Sequence, residues 1–305
     1  MDIIIEDFLK EDIGEGDITT DAIVPEHHTS QAIIMAKAEG VVAGHQYAHD
    51  VFSLLDQDIQ YQALQEDGEG VKPGDILAAI AGKSRAILTG ERVALNILQR
   101  LSGIATFTRS FVDAVEGTGV KILDTRKTAP GLRGMEKYAV RMGGGYNHRL
   151  NLSEMVLIKE NHIAIAGSVL EAVKRVRAQS RVPIEVEVKN MDELQEALAA
   201  TVDRIMLDNW DIKSIKDAAS LIKKKVSPAT KQPLTKGSPA KPKPKVTPWP
   251  VTLWSEPASA SAIEVSGNMT IEKVREMAKT GIAFISVGAI THSFKSLDMT
   301  LLLKR

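Results

Sequence analysis

The chain has 305 residues, 44% hydrophobic and 25% charged, with a formal net charge of −1 at pH 7. That balance suits folded domains with room for two of them, and near-neutrality removes any global argument for nucleic-acid or membrane-surface binding. No cysteine occurs, which excludes disulfides, thiolate metal ligands and a cysteine nucleophile; with an acidic N-terminus unlike a signal peptide and no bilayer-length apolar run, the expectation is a cytoplasmic protein.

In chain order, residues 3–10 read as a short amphipathic helix. Glu11 to Thr20 is a turn-rich acidic loop in which Asp17 or Thr19 caps a helix. The run 31–44 predicts a strand pair turning at Glu39-Gly40, and residues 45–56 a helix. Strand-like runs at 59–65 and 75–87 are separated by turn chemistry from Asp67 to Gly74. Thr89 to Glu116 predicts a long helix with Thr89 as its N-cap and Gly103 as a kink or break. Leu95, Leu98 and Leu101 recur at helical spacing. Arg92 and Arg100 fall near one face, as two solvated arginines unless another chain or domain is placed against them.

From Val120 the pattern becomes β/α units. Strands fit 120–123, 155–158, 184–188, 204–207, 263–265 and 284–287. Helices fit 134–142, 168–179, 191–200, 211–224 and 270–280. One interval is about twice the others. It holds 223–261, rich in lysine, proline, serine and threonine, with eight of the chain's twelve prolines and one acid, Glu256. This composition reads as a disordered insertion. The fold class expected is α/β. Residues 1–115, joined by 290–305, form an N-terminal domain; residues 116–289 form an incomplete parallel α/β barrel of six or seven strands.

The C-terminal ends of parallel strands carry the chemistry of such barrels. Here they offer Asp124 with Arg126 and Lys127, then Lys159, Glu187, Asp208, Ser266-Gly267 and Gly288. The stretch Asp124–Arg149 is dense in cations and glycine: Arg126, Lys127, Arg133, Arg141, His148 and Arg149 are interrupted by only one acid, Glu136. Arginine forks and lysine charges suit a multiply charged anion. Glu187 and Asp208, on neighbouring strands, suit Mg²⁺ with a phosphate- or hydroxyl-bearing ligand. Ser266 to Thr270 leads into a helix whose first N–H groups can cradle phosphate. Taken singly, each has an ordinary explanation: a surface charge, a Glu187 pairing with Lys159 or Lys189, a structural His148, a plain turn. Their gathering at one end of one sheet favours a site for one anionic small molecule and one phosphorylated, metal-bound one.

Several ordered motifs then resemble the quinolinate phosphoribosyltransferase family. They are Asp124-Thr125-Arg126-Lys127-Thr128 with Pro130-Gly131-Leu132-Arg133, Lys137-Tyr138-Ala139-Val140-Arg141, Gly143-Gly144-Gly145 with Asn147-His148-Arg149, and Leu157-Ile158-Lys159-Glu160-Asn161-His162. Glu11-Asp12, Gly16-Asp17, Thr19-Thr20, Gly90-Glu91-Arg92, Leu95-Asn96, Leu207-Asp208-Asn209, Ile285-Ser286-Val287-Gly288 and Thr291-His292-Ser293 extend the likeness over almost the whole chain outside the insertion.

The resemblance implies an N-terminal α/β sandwich beside the incomplete barrel. It implies transfer of a phosphoribosyl group from phosphoribosyl pyrophosphate to quinolinate, with Mg²⁺, giving nicotinate mononucleotide, CO₂ and pyrophosphate in NAD biosynthesis. Arg92, Arg126, Lys127, His148, Arg149 and Lys159 match the quinolinate pocket, Arg92 being donated across the interface of a homodimer or of a hexamer built as a trimer of dimers. Glu187, Asp208, Ser266, Gly267, Asn268, Ser286, Gly288 and His292 match the phosphoribosyl pyrophosphate side. Glu187 and Asp208 serve the metal, directly or through water, and Lys127, Lys159, Glu187 and Asp208 are the catalytic candidates. No nucleic acid or membrane partner is implied.

Two features depart from the family pattern: Asn268 where a second glycine is usual, which calls for a residue tolerant of left-handed φ, and the 223–261 insertion. Two other readings stay open from sequence. One is a paralogous phosphoribosyltransferase for another anionic acceptor; the other is a non-catalytic binding or scaffold protein on the same fold. The complete Thr125-Arg126-Lys127-Thr128 and Asn147-His148-Arg149 motifs argue against the first, and retention of Glu187, Asp208 and the full basic set argues against the second.

Overall fold

The computed structural model describes residues 2–225 and 263–304. Most of the expected insertion, from 226 to 261, lies outside the described residues; 223–225 close a helix.

The elements in chain order begin with α1 (Asp2–Ile13), α2 (Ile18–Ile23), β1 (Thr29–Ala36), β2 (Gly40–Val41), α3 (His45–Leu55), β3 (Gln60–Ala63), β4 (Gly70–Val71), β5 (Ile76–Lys83) and α4 (Ser84–Ala114). They continue with β6 (Lys121–Leu123), α5 (Arg133–Met142), β7 (Val156–Ile158), α6 (Glu160–Ala166), α7 (Val169–Gln179), β8 (Ile184–Val188), α8 (Met191–Ala199) and β9 (Arg204–Asp208). Then come α9 (Ile212–Lys225), β10 (Ile263–Ser266), α10 (Ile271–Met277), β11 (Phe284–Ser286), α11 (Ala289–His292) and β12 (Met299–Leu303). Among the described residues no helix is long and apolar enough to cross a membrane.

The chain divides into two compact units. The first takes 1–112, 127–145 and 289–305; the second takes 113–126 and 146–288. Residues 127–145, expected in the barrel domain, thus group with the first unit. The first unit's sheet is antiparallel where it pairs, in the order β12-β1-β5-β3. β1 alternates buried Ala32, Ile34 and Ala36 with more exposed neighbours, the period-2 pattern of a strand covered on one face.

Three local expectations change here. β1 and β2 do not form a hairpin at Glu39-Gly40: β1 pairs with β5 and β12, and β2 with β4. The strand expected over 75–87 ends at Lys83, and α4 begins at Ser84, so Thr89 lies inside the helix and its hydroxyl donates to Asp17 at 3.0 Å. Asp17 caps α2, accepting the Thr20 N–H at 3.0 Å. Gly103 does not end α4, which spans 31 residues. A Cβ at Gly103 would lie 2.4 Å from the Lys295 carbonyl oxygen, so glycine is there to admit the chain before β12.

The second unit is a parallel sheet in the order β6-β11-β10-β9-β8-β7. Among the described residues its six strands do not close, since β6 and β7 remain edges, so the structure is an incomplete barrel. The strands do not read as the uniformly apolar runs usual in parallel sheets. On one face stand Ile184, Val186, Val188, Ile205, Leu207, Ile263, Val265 and Ile285, all buried. On the other stand Glu185 and Glu187, Arg204, Met206 and Asp208, Glu264 and Ser266, Phe284 and Ser286. The polar face holds the candidate site at its C-terminal end.

Candidate functional site

Three motif residues form its foundation. Asp124, wholly buried at the end of β6, accepts the Asn147 side-chain amide at 2.6 Å and the His148 backbone N–H at 2.8 Å. The Asn147-His148-Arg149 segment is thereby fixed against the sheet edge, where Tyr146 also bridges to Leu123. Arg149 donates from Nη1 to the Met155 carbonyl at 3.0 Å. Burial, and then the nearby Arg126 guanidinium, lower the Arg149 pKa, while Glu185 opposes the shift. Two guanidiniums that repel one another, Arg149 buried and Arg126 half-buried, form the kind of site a dianion relieves.

At the rim, Lys159 pairs with Glu187 at 2.5 Å, from the ends of β7 and β8. Asp208 ends β9, and its carboxylate accepts the Asn209 side-chain amide at 2.8 Å. Asn209 has φ +58° and donates its N–H to the Ser266 carbonyl at 3.0 Å. It also packs over Gly267 (φ +143°), where a Cβ would come within 2.7 Å of the Asn209 Oδ1. The left-handed residue in this region is therefore Asn209, whereas Asn268 adopts no left-handed φ. Asn268 is exposed, and its carbonyl accepts Lys273 at 3.1 Å. Gly288 follows Val287, whose N–H donates to Leu123 at 2.9 Å.

Below the rim lies a buried polar group. Glu185 accepts from His148 Nε2 at 2.9 Å, and Glu264 lies 3.6 Å from the same nitrogen. Arg204 donates to Glu264 at 3.0 Å and stacks 4.0 Å from the Phe284 ring. Ser286 donates its hydroxyl to Glu264. Burial pushes the Glu185 pKa up to about 6, opposed by Arg204 and by a hydrogen bond to Glu264; burial and then the Glu185 charge push that of Glu264 up to about 7, opposed by His148, Arg204 and the Ser286 hydroxyl. Ligand atoms of His148, Glu185 and Glu264 lie within 4.8 Å of one another. Arg204 and Ser286 already occupy Glu264, so these groups form a hydrogen-bonded network rather than an open oxygen shell. Glu187 and Asp208, at the strand ends, offer the hard oxygen donors that Mg²⁺ prefers.

Of the residues expected from sequence, the second unit gathers Arg126, Arg149, Lys159, Glu187, Asp208, Ser266, Gly267, Asn268 and Gly288 at its strand ends. His148 and Ser286 are respectively 4% and 2% exposed, and their side chains turn into the network rather than toward the opening. Arg92, Lys127 and His292 belong to the first unit, and all three are exposed. The Lys127 carbonyl accepts from Thr291 at 2.8 Å. On α4, Val93, Asn96 and Arg100 line a groove with Phe8, Asp12 and Met135. Arg100 is not a free surface charge, because its guanidinium pairs with the buried Glu136. Sequence reasoning passed over Glu185, Arg204 and Glu264, although a charge on alternate positions of a buried strand was the signal.

The class this fold and rim define is an α/β-barrel protein for an anionic small molecule. A family model described as "Quinolinate phosphoribosyl transferase, C-terminal domain" matches residues 104–231 and 244–302, and its N-terminal counterpart matches 17–102. The chain belongs to the quinolinate phosphoribosyltransferase family. It is 42% identical to a probable carboxylating nicotinate-nucleotide pyrophosphorylase of Bacillus subtilis, over 98% of this chain and 91% of that one. It is 39% identical to the protein of the same description from Synechocystis, over 100% of this chain and 93% of that one. The solved structure of NadC from Streptococcus pyogenes superposes with a TM-score of 0.83 at 37% identity, covering 99% and 97% of the two chains. The family model skips only 232–243 of the segment read as an insertion. The departure from the family is therefore narrower than 223–261.

Proposed function

We propose that this chain is a carboxylating nicotinate-nucleotide pyrophosphorylase, joining quinolinate to phosphoribosyl pyrophosphate and releasing CO₂ and pyrophosphate. The observation that carries the assignment to this site is the pairing of Arg126 with Arg149 beside a carboxylate rim. The two guanidiniums supply the forks for the two carboxylates of quinolinate, and Lys159 adds a third cation. Held so, the ring nitrogen is aimed at the ribose C1′, and proximity converts the displacement into an effectively unimolecular step.

Loss of pyrophosphate builds positive charge on the ribose, which Glu187 and Asp208 stabilise from the rim. Glu187 and Asp208 would hold Mg²⁺, which when bound neutralises the leaving pyrophosphate. The Ser266-Gly267-Asn268 turn and Gly288 receive the 5′-phosphate through backbone N–H groups, the close approach that glycine permits. Once the nitrogen is alkylated, its positive charge stabilises the electrons that decarboxylation leaves on the adjacent carbon. Lys127 keeps the quinolinate-side role, and His292 the phosphoribosyl pyrophosphate-side role, of their family counterparts. Arg92 keeps the role of an arginine donated across a homodimer or trimer-of-dimers interface, and the compartment remains the cytoplasm.

The decisive assay supplies quinolinate, phosphoribosyl pyrophosphate and Mg²⁺ and follows nicotinate mononucleotide and CO₂. Product from another acid, with none from quinolinate, turns the reading to a paralogue; no turnover with any acid turns it to a binding protein. Arg126→Ala abolishes quinolinate binding and largely spares phosphoribosyl pyrophosphate; equal loss of both refutes the pocket assignment. For Arg92, inactive Arg92→Ala and inactive Arg126→Ala proteins regain activity when mixed and reassociated. A mixture that stays inactive removes the shared-site role.

A further inference from the structure

We infer that Glu185 is a positioning residue for the acceptor pocket, acting on Arg149 through a neutral His148. The inference rests on the reaction proposed above. The Arg149 backbone N–H points at His148 Nδ1 from 2.8 Å. A backbone N–H can only donate, so Nδ1 presents its lone pair and the ring proton sits on Nε2. That Nε2–H faces Glu185 at 2.9 Å. Both ring nitrogens are thus engaged inside the protein, on a side chain 4% exposed. Such a ring brings neither a positive charge nor a spare hydrogen bond to a ligand.

What it brings is a rigid link. One end is held by Glu185 on β8, and the other holds the amide of Arg149. Asp124 fixes the backbone just ahead, and the Met155 carbonyl braces the guanidinium beyond, at 3.0 Å. The geometry of Arg149 is therefore set from both sides, with Glu185 as the support that orients the imidazole. This separates His148 from Arg126, Arg149 and Lys159, with which the family motif groups it.

The test uses the full chain, labelled with ¹⁵N in the histidine rings, together with steady-state kinetics. In the wild type, the signal assigned to His148 shows a pyridine-like Nδ1 and a pyrrole-like Nε2. Glu185→Gln keeps an acceptor oxygen and keeps that pattern; Glu185→Leu loses it. Glu185→Leu raises KM for quinolinate about tenfold or more and leaves KM for phosphoribosyl pyrophosphate within about twofold, while Glu185→Gln restores most of the loss. Two pyrrole-like nitrogens, or a proton on Nδ1, would overturn the inference. So would a parallel rise in both KM values, or a Gln variant as impaired as the Leu variant. Should Glu185→Leu fail to fold, the wild-type spectrum and the Gln variant still decide. Absence of turnover in the wild type counts against the reaction alone, because the tautomer is read without substrate.

Discussion

At the scale of single residues, the buried acids make a prediction about pH. Glu185 and Glu264 have pKa values raised to about 6 and about 7 from an ordinary 4.5. Between those limits the folded state binds more protons than the unfolded one, so their contribution to stability is full below about pH 4.5 and is lost as pH rises through 6 to 7. Glu264→Gln is expected to flatten the fall of Tm between pH 5 and pH 7.5, as read by calorimetry in matched buffers. An unchanged slope would place the proton elsewhere.

The rim positions were legible because each lies at or just past the C-terminal end of a strand in a β/α unit. The network beneath was not, because a sequence shows that Glu185 and Glu187 share a face but not which partners meet there. His148 reaches a carboxylate 37 positions away, and Ser286 one 22 positions away. Composition alone made His148 look like one more cation.

At the scale of elements, one helix position and one strand end carry testable steric constraints. Alanine for glycine inside a helix ordinarily stabilises by about 0.5–1 kcal/mol. Gly103→Ala in α4 is expected to do the reverse, losing about 1–3 kcal/mol in urea unfolding, because its Cβ meets the backbone at Lys295 and Ser296. At the end of β9, Asn209 holds a left-handed conformation and the Asp208 carboxylate together. Asn209→Gly keeps the backbone and loses the amide, whereas Asn209→Ala loses the amide and adds about 1–2 kcal/mol of strain. Stability should separate the two variants while both lose turnover; full activity in Asn209→Gly would free Asp208 from this support.

Element boundaries were readable where caps and periodicity agreed, as over β8, where the expected 184–188 is the observed span. They failed where a strand runs into a helix without a break. Ile80 and Ile87 extend the apolar pattern across Ser84, and nothing local marks the change. The supposed hairpin at Glu39-Gly40 failed for a related reason: its two strands find their partners far along the chain.

At the scale of the whole molecule, the family pattern and the composition disagree about the lysine- and proline-rich segment, and deletion resolves them. Removing 232–243, which the family model skips, is expected to leave turnover with quinolinate intact; a collapse of activity would give that stretch a role in the reaction. The attachment of 290–305 to the first domain was legible, but the pairing of β12 with β1 was not anticipated. The assignment of 127–145 was not, because that segment continues directly from a barrel strand and only its packing shows where it belongs. Arg109, on α4, donates to the Gly143 carbonyl at 3.1 Å, a tie no sequence spacing reveals.

The pairing of β12 with β1 has a consequence for how the molecule is made. About 270 residues separate Thr29 from Met299, which at roughly 5–20 residues per second is on the order of a quarter of a minute to a minute of synthesis. Throughout that interval β1 has an unsatisfied edge, the kind of surface that recruits other chains. Every strand of the second unit leaves the ribosome before the first sheet can be completed. A circular permutant that places β12 ahead of β1 would remove the wait, and its yield of soluble nascent protein would measure what the native order costs.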